Sequence, residues 1–272
     1  MNSLQKEIIQ NLGCKPSIDP ETEIDQRSKF LESYLEASGM LGFIIGVSGG
    51  QDSLLAGLIA QKAVNNRQRL GHQASLHAIL LPYGQQSDRQ DAKLAVATIA
   101  PNFVHDMNIQ PATDDISKSF EIEGDEILSD FDKGNIKARM RMIAQYAIAS
   151  QHKLLVIGTD HAAEAVTGFY TKYGDGAADI LPLSGLNKRQ GRQLLDHLGV
   201  PEIFTTKTPT ADLLDDKPGQ SDETELGVTY DQIDDYLEGK PINGKVAEKI
   251  ESLYISSQHK RAMPVGYQGT IS

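Results

Sequence analysis

Between an apolar run and a helical pattern the chain reads Gly46-Val47-Ser48-Gly49-Gly50-Gln51-Asp52-Ser53. Glycines let a backbone approach a phosphate closely, successive N–H groups form an anion nest, and the N-terminus of the following helix adds a favourable dipole. Ser48 and Ser53 contribute hydroxyl donors and Asp52 a hard oxygen. The loop lacks the lysine of G-x-x-x-x-G-K-[ST] and does not fit the dinucleotide G-x-G-x-x-G. A tight strand-to-helix turn would explain the glycines but not the hydroxyls and the acid. Asp52 could also serve as a plain helix cap.

The elements that must position this loop follow from periodicity. Phe43 to Val47 is apolar on both faces, as in a central parallel strand covered by helices on both sides. Leu54, Leu55, Leu58, Ile59 and Val64 restore a helical period, and Leu76 to Leu81 forms the next strand, making a β-α-β unit. Alternation continues with a helix near 87–100, a strand at 103–104, a long helix within 132–152 and a strand at 154–157. Such alternation predicts an α/β fold, a doubly wound and mostly parallel sheet with ligands at the carboxyl ends of its strands. Two helices precede it: one carries Leu4, Ile8, Ile9 and Leu12, and the other starts near Asp19-Pro20 and stops before Gly39. Residues 1–272 read as one domain, with N-terminal helices in 1–38, an irregular lid-like stretch at 205–229, and helices near 229–238 and 246–257 within a C-terminal part, 230–272.

Composition narrows the class. The 272 residues are 39% hydrophobic and 23% charged, an ordinary globule. A net charge of -11 argues against broad capture of nucleic acid, so an anionic ligand requires a locally basic pocket. One cysteine, Cys14, makes no internal disulfide. The most apolar run, 41–47, is far shorter than the about 20 residues that span a bilayer, and the N-terminus lacks a signal-peptide pattern. The expected setting is the cytoplasm, without membrane or nucleic acid as partners.

The glycine-rich loop resembles that of the ATP pyrophosphatases, whose S-G-G-x-D-S segment grips the pyrophosphate end of ATP. Further blocks narrow the resemblance: Gly158-Thr159-Asp160-His161-Ala162-Ala163-Glu164, then 167–179 (TGFYTKYGDGAAD), 185–190 (GLNKRQ) and 207–213 (KTPTADL). Together they resemble ammonia-dependent NAD synthetase over almost the whole chain. The resemblance implies a sheet like that of the adenine nucleotide alpha hydrolases and the ATP-dependent amidation of deamido-NAD with ammonia. An adenylylated nicotinate would form on the way, and AMP and pyrophosphate would be released.

It also implies a site. Residues 46–53 with Thr159, Lys188 and Thr210 would bind ATP. Asp52 and Glu164 would hold Mg²⁺ through oxygen ligands. Lys188, within the polar run Asn187, Lys188, Arg189 and Arg192, would offset charge at the α-phosphate. Arg139, Lys172, Asp179, His259 and Lys260 would bind deamido-NAD, and the site would lie at a homodimer interface. Asp175, between Gly174 and Gly176, is the candidate base for ammonium, the glycines allowing a ligand close. Phe169 and Tyr170 could stack on the nicotinate ring. Plainer readings compete: Glu164 as a solvated helix residue, the run around Lys188 as a solvated basic face, Arg139 as a surface arginine, His259-Lys260-Arg261 as a loose basic tail, Phe169 and Tyr170 as core, Asp175 as a loop brace.

One departure stands out: Leu80 occupies a position that is often basic in the family, with Arg89 as a possible substitute. A tRNA-thiolating enzyme on the same loop would favour a basic surface and catalytic cysteines. A non-catalytic ATP-sensing module is the other alternative. Glutamine-using relatives carry an added amidase, for which this chain has no room, so free ammonia is the expected donor.

Overall fold

The computed structural model describes residues 3–84, 88–123, 128–207 and 220–267. Helices α1 (Ser3–Asn11) and α2 (Pro20–Ser38) lead into β1 (Gly42–Gly46), α3 (Gln51–Arg69), β2 (Ser75–Leu80), α4 (Arg89–Ile99), β3 (Phe103–Asp106), α5 (Gln110–Glu123), α6 (Asp130–His152) and β4 (Leu155–Ile157). The helices α7 (Ala162–Thr167), α8 (Lys188–Leu198), α9 (Ile203–Thr206), α10 (Asp222–Leu226), α11 (Tyr230–Leu237), α12 (Gly244–Ser256) and α13 (Gln258–Arg261) follow. The start of α2 is the expected one: Asp19 accepts from Thr22 N–H at 2.9 Å, Pro20 opens the first turn, and Gly39 closes the helix at φ 67°.

All pairings in the sheet are parallel, in the order β3-β2-β1-β4. On β1, Phe43 and Ile45 enter a core with Leu31 of α2, Leu55 and Ile59 of α3 and Leu195 of α8, whereas Ile44 packs with Ile79, Val156 and Ala144 of α6 on the other face. Burial on both faces is why β1 shows no polar alternation. A third cluster joins Ile8, Val166, Ile233, Tyr236 and Ile250, so helices from both ends of the chain pack together. The side-chain amide of Gln5 ties α1 to the carbonyl of Tyr236 at 2.8 Å.

After β3 the chain returns past β1 to form β4, so the winding reverses between β1 and β4. Neighbouring loops there diverge and open a crevice beyond the carboxyl ends of the strands. The expected irregular stretch holds α10, whose Leu226 is buried; residues 208–219, Thr210 among them, lie outside the described residues. Among those described, no helix is long and apolar enough to cross a membrane.

Candidate active site

A cavity of about 590 Å³ opens at the β1/β4 crevice, lined by the glycine-rich loop, Leu80 to Pro82, Gly158, Thr159, Glu164, 167–171, Asp175 and Lys188. Val47 N–H still donates to Ile79 O, at 2.9 Å, so the loop leaves the sheet in a set direction. It is braced from inside: Ser48 Oγ and Ser53 Oγ are 3.2 Å apart, and Gly50 N–H donates to Ser48 Oγ at 3.3 Å. Gly49 is irreplaceable here. Its φ is +83°, and a Cβ would fall 2.5 Å from Ala92 N at the start of α4. Gly50 caps α3 without a side-chain hydrogen bond, leaving the first-turn N–H groups to face the cavity.

Four side chains meet beside the loop. Lys188, at the first position of α8, is 4% exposed and places Nζ 2.7 Å from Asp52 Oδ2 in the first turn of α3. His161 Nε2 lies 3.6 Å from Asp52 Oδ1 and 3.7 Å from Glu164 Oε2. Asp52, His161 and Glu164 each offer a ligand atom, all within 4.8 Å of one another, a donor set that fits a divalent cation. Burial works to raise Asp52, but the ammonium of Lys188 holds its carboxyl below the usual range. Burial, with Asp52 and Asp160 adding like charge, pushes Glu164 well up. Burial and the Asp175 and Asp52 carboxylates push Asp160 up to about 8.

The polar run around Lys188 divides. Asp234 accepts from the Lys188 and Arg189 N–H groups at 3.1 and 2.8 Å, so that carboxylate closes the α8 N-terminus. Arg189 turns to Asp235 and Glu238 of the α11 region, leaving Lys188 to enter the cavity. Thr159 lines the same wall after β4.

The proposed substrate residues are more scattered. Lys260 Nζ donates to the carbonyls of Gly168 and Tyr170, both at 2.7 Å, and lines the cavity. His259 is exposed beside it. Arg261 donates to Ala165 O at 2.8 Å and Ser257 Oγ at 2.7 Å and lies over the Tyr254 ring, so this segment is anchored rather than a loose tail. Arg139 is exposed and approaches Lys172 O at 3.4 Å, while the Lys172 ammonium sits over the Tyr173 ring; neither lines the cavity. Asp179 accepts from Val156 N–H at 2.7 Å and Tyr146 Oη at 3.4 Å, at the outer edge of β4.

Asp175 lines the cavity and accepts from Thr171 N–H at 2.8 Å, so one oxygen braces its own loop. The surrounding protein pushes its carboxyl up, against the Thr171 hydrogen bond and the charges of Arg141 and Lys260. The flanking glycines make room for the protein itself: a Cβ on Gly176 would lie 2.4 Å from the Tyr170 ring, and one on Gly174 2.9 Å from Thr171. Phe169 and Tyr170 face the cavity. Leu80 lines it as well, and Arg89 nearby pairs with Asp106 at 2.9 Å.

Sequence reasoning passed over several residues of this site. Gln145 accepts from Gly46 N–H at 2.9 Å, Arg141 donates to Leu81 O at 3.2 Å, and Lys207 pairs with Asp91 at 2.7 Å, all on the cavity wall. His161 belongs to the 158–164 segment, but no spacing rule connects it to Asp52.

Known proteins resemble this chain over nearly its whole length. The NH(3)-dependent NAD(+) synthetase of Bacillus licheniformis is 58% identical over 262 residues, 96% of each chain, and that of Bacillus subtilis 55% over the same length and shares. The NAD+ synthetase structure from Burkholderia pseudomallei superposes with TM-score 0.82 at 43% identity, covering 96% of both chains. An NMN synthetase from Francisella tularensis gives 0.81 at 36%, covering 93% of this chain and all of that one. The family described as NAD synthase matches residues 23–264. With that match spanning the loop, the sheet and the helices around the cavity, the chain belongs to the NAD synthase family.

Proposed function

We propose that this chain converts deamido-NAD to NAD with ATP and ammonia in the cytoplasm, acting as a single catalytic domain. One observation carries the reading: a single cavity joins the glycine-rich loop and the Asp52, Glu164 and Lys188 group to the segment bearing Asp175 and Tyr170. The relatives at 55–58% identity supply the reaction.

The loop N–H groups and the α3 N-terminus hold the leaving phosphates of ATP. Asp52 Oδ1 and Glu164 are the oxygens for Mg²⁺, which when bound would screen the phosphate charge. A nicotinate carboxylate oxygen forms a bond to the α-phosphorus while the bond to pyrophosphate breaks. Lys188, held on Asp52 and so fixed in place, faces the charge that builds up on that phosphorus. Ammonia then attacks the acyl carbon and AMP leaves with the former carboxylate oxygen. Asp175, its carboxyl shifted up, takes the proton that ammonium must lose. The lid-like stretch, with Thr210, would keep water from the adenylate.

Arg139, Lys172, Asp179 and His259 are outside the lining of the cavity, which fits a substrate site completed by a second copy. Exposed apolar residues on β3, α5 and α6, including Phe103, Val104, Ile116, Phe120, Phe131 and Ile143, supply a surface for that homodimer. Sedimentation of the purified chain at micromolar concentration checks it, a monomer overturning the dimer.

The activity test incubates the chain with deamido-NAD, Mg-ATP and ammonium. NAD with equal AMP and pyrophosphate is the expected result. Turnover with glutamine equal to that with ammonium would overturn the donor, and preference for the mononucleotide acid would favour the reaction of the Francisella tularensis neighbour.

A further inference from the structure

The mechanism above makes no use of the imidazole beside Asp52 and Glu164. His161 is 3% exposed, and neither Nδ1 nor Nε2 has a hydrogen-bond partner. An imidazole buried in this state is uncommon, because unpaired polar atoms in the interior are costly. The residue caps α7, yet its ring makes no capping bond and turns inward to the two carboxylates.

We infer that His161 is a third protein ligand of the cation site: Nε2 joins Asp52 Oδ1 and Glu164 Oε2 in a mixed nitrogen and oxygen centre that takes Mn²⁺ above Mg²⁺, and takes it before any nucleotide arrives. The separations of 3.6 and 3.7 Å are too long for hydrogen bonds. They fall between the cis edges, about 2.8 to 3.1 Å, and the trans separations, about 4.0 to 4.4 Å, of an octahedral ion bonded at ~2.0–2.2 Å, so an entering ion would draw the three ligand atoms inward by about half an ångström. Lys188 already occupies Asp52 Oδ2, which turns Oδ1 to the imidazole. The backbone at this point is fixed, with Ala162 N–H donating to Leu186 O at 2.7 Å and Ala165 N–H to His161 O at 2.9 Å. Mg²⁺ prefers oxygen and keeps its waters, whereas an imidazole ligand raises affinity for later divalent ions.

The inference rests on Asp52 and Glu164 being cation ligands, and the test separates the two claims. The full-length protein, free of nucleotide and in a non-coordinating buffer, is titrated with MnCl₂ and examined by pulsed EPR, with and without ¹⁵N-histidine labelling. One Mn²⁺ per chain is expected, with a nitrogen coupling that changes with the label. His161→Gln is expected to abolish the coupling and lower the Mn²⁺ over Mg²⁺ preference at least ~10-fold. Absence of Mn²⁺ binding without nucleotide, or bound Mn²⁺ with no histidine coupling, overturns the inference. That readout uses the unaltered chain and is independent of how a variant folds. If Asp52→Asn and Glu164→Gln lose Mn²⁺ while the unaltered chain shows no nitrogen coupling, the carboxylate assignment stands and His161 alone is removed. Coupling that survives both substitutions removes the carboxylates instead.

Discussion

Lys188 Nζ lies 2.7 Å from Asp52 Oδ2, joining the first turns of two helices whose side chains are 136 residues apart. The contact does two things at once: it neutralises a carboxylate at the mouth of the glycine-rich loop and orients the Lys188 ammonium. Lys188→Met is expected to lower kcat/KM by ~100-fold or more, measured as pyrophosphate release, because charge at the reacting phosphorus loses its partner. Lys188→Arg is not expected to restore activity, since the planar fork does not fit a site shaped for one compact ammonium.

Two of the loop glycines, Gly49 and Gly50, differ in a way that stability measurements can read. Gly49→Ala forces a side chain into a φ of +83° and against the α4 backbone, so a loss of about 2–4 kcal/mol is expected. Gly50→Ala has φ -90° and a Cβ 3.4 Å from Ser48 Oγ, and a loss within about 1 kcal/mol is expected. Equal denaturation midpoints for the two variants would contradict the geometry.

Lys260 clamps two carbonyls of the segment that carries Tyr170. Burial lowers its ammonium, with Asp175 opposing. Lys260→Met is expected to raise KM for deamido-NAD by ~10-fold and to change kcat by less than ~3-fold, as for a group that binds substrate and transition state alike. Steady-state kinetics with saturating ATP and ammonium check this, and a fall confined to kcat would contradict it.

A remote histidine pair sets an acid limit on the fold. His77 Nδ1 and His105 Nε2 are 3.0 Å apart, with His152 ringed beside them. Burial first, then the neighbouring histidines, push His77 down to about 4, and burial lowers His105 as well. Unfolded imidazoles take up protons near 6.5, so between there and about 4 the unfolded chain binds more protons. Stability is therefore expected to fall as pH drops through that window, by up to about 3 kcal/mol from His77. Thermal melting from pH 7 to pH 4.5 reads the slope, and His77→Leu should flatten it.

Much of this architecture is legible in the chain because its signals are local. The apolar strands, the Asp19-Pro20 helix start and the glycine-rich loop carry their own chemistry, and their observed limits differ from expectation by one or two residues. Helix α5 escaped the reading for a physical reason. The face it buries includes Thr113 and Ser117, whose hydroxyls donate to carbonyls four residues earlier, at 2.9 Å each, so the periodic apolar stripe is missing. The division between Lys188 and Arg189 was equally hidden, because only α11, folded against α8, draws one of them away from the cavity. Gln145 meets Gly46 and His161 meets Asp52 across distances in sequence that no spacing rule reaches, although His161 and Glu164 stand only three residues apart.

The strand order has a consequence for assembly of the chain. A chain in which only β1, β2 and β3 were paired would already display the glycine-rich loop, since those strands follow one another in sequence. It would lack Glu164 and Lys188, which arrive only after β4 has docked on the far side of β1. Long-range closure of that kind is slow relative to local pairing. A pocket that holds both the glycine-rich loop and Lys188 is therefore complete only in the full four-stranded topology, with β4 paired to β1.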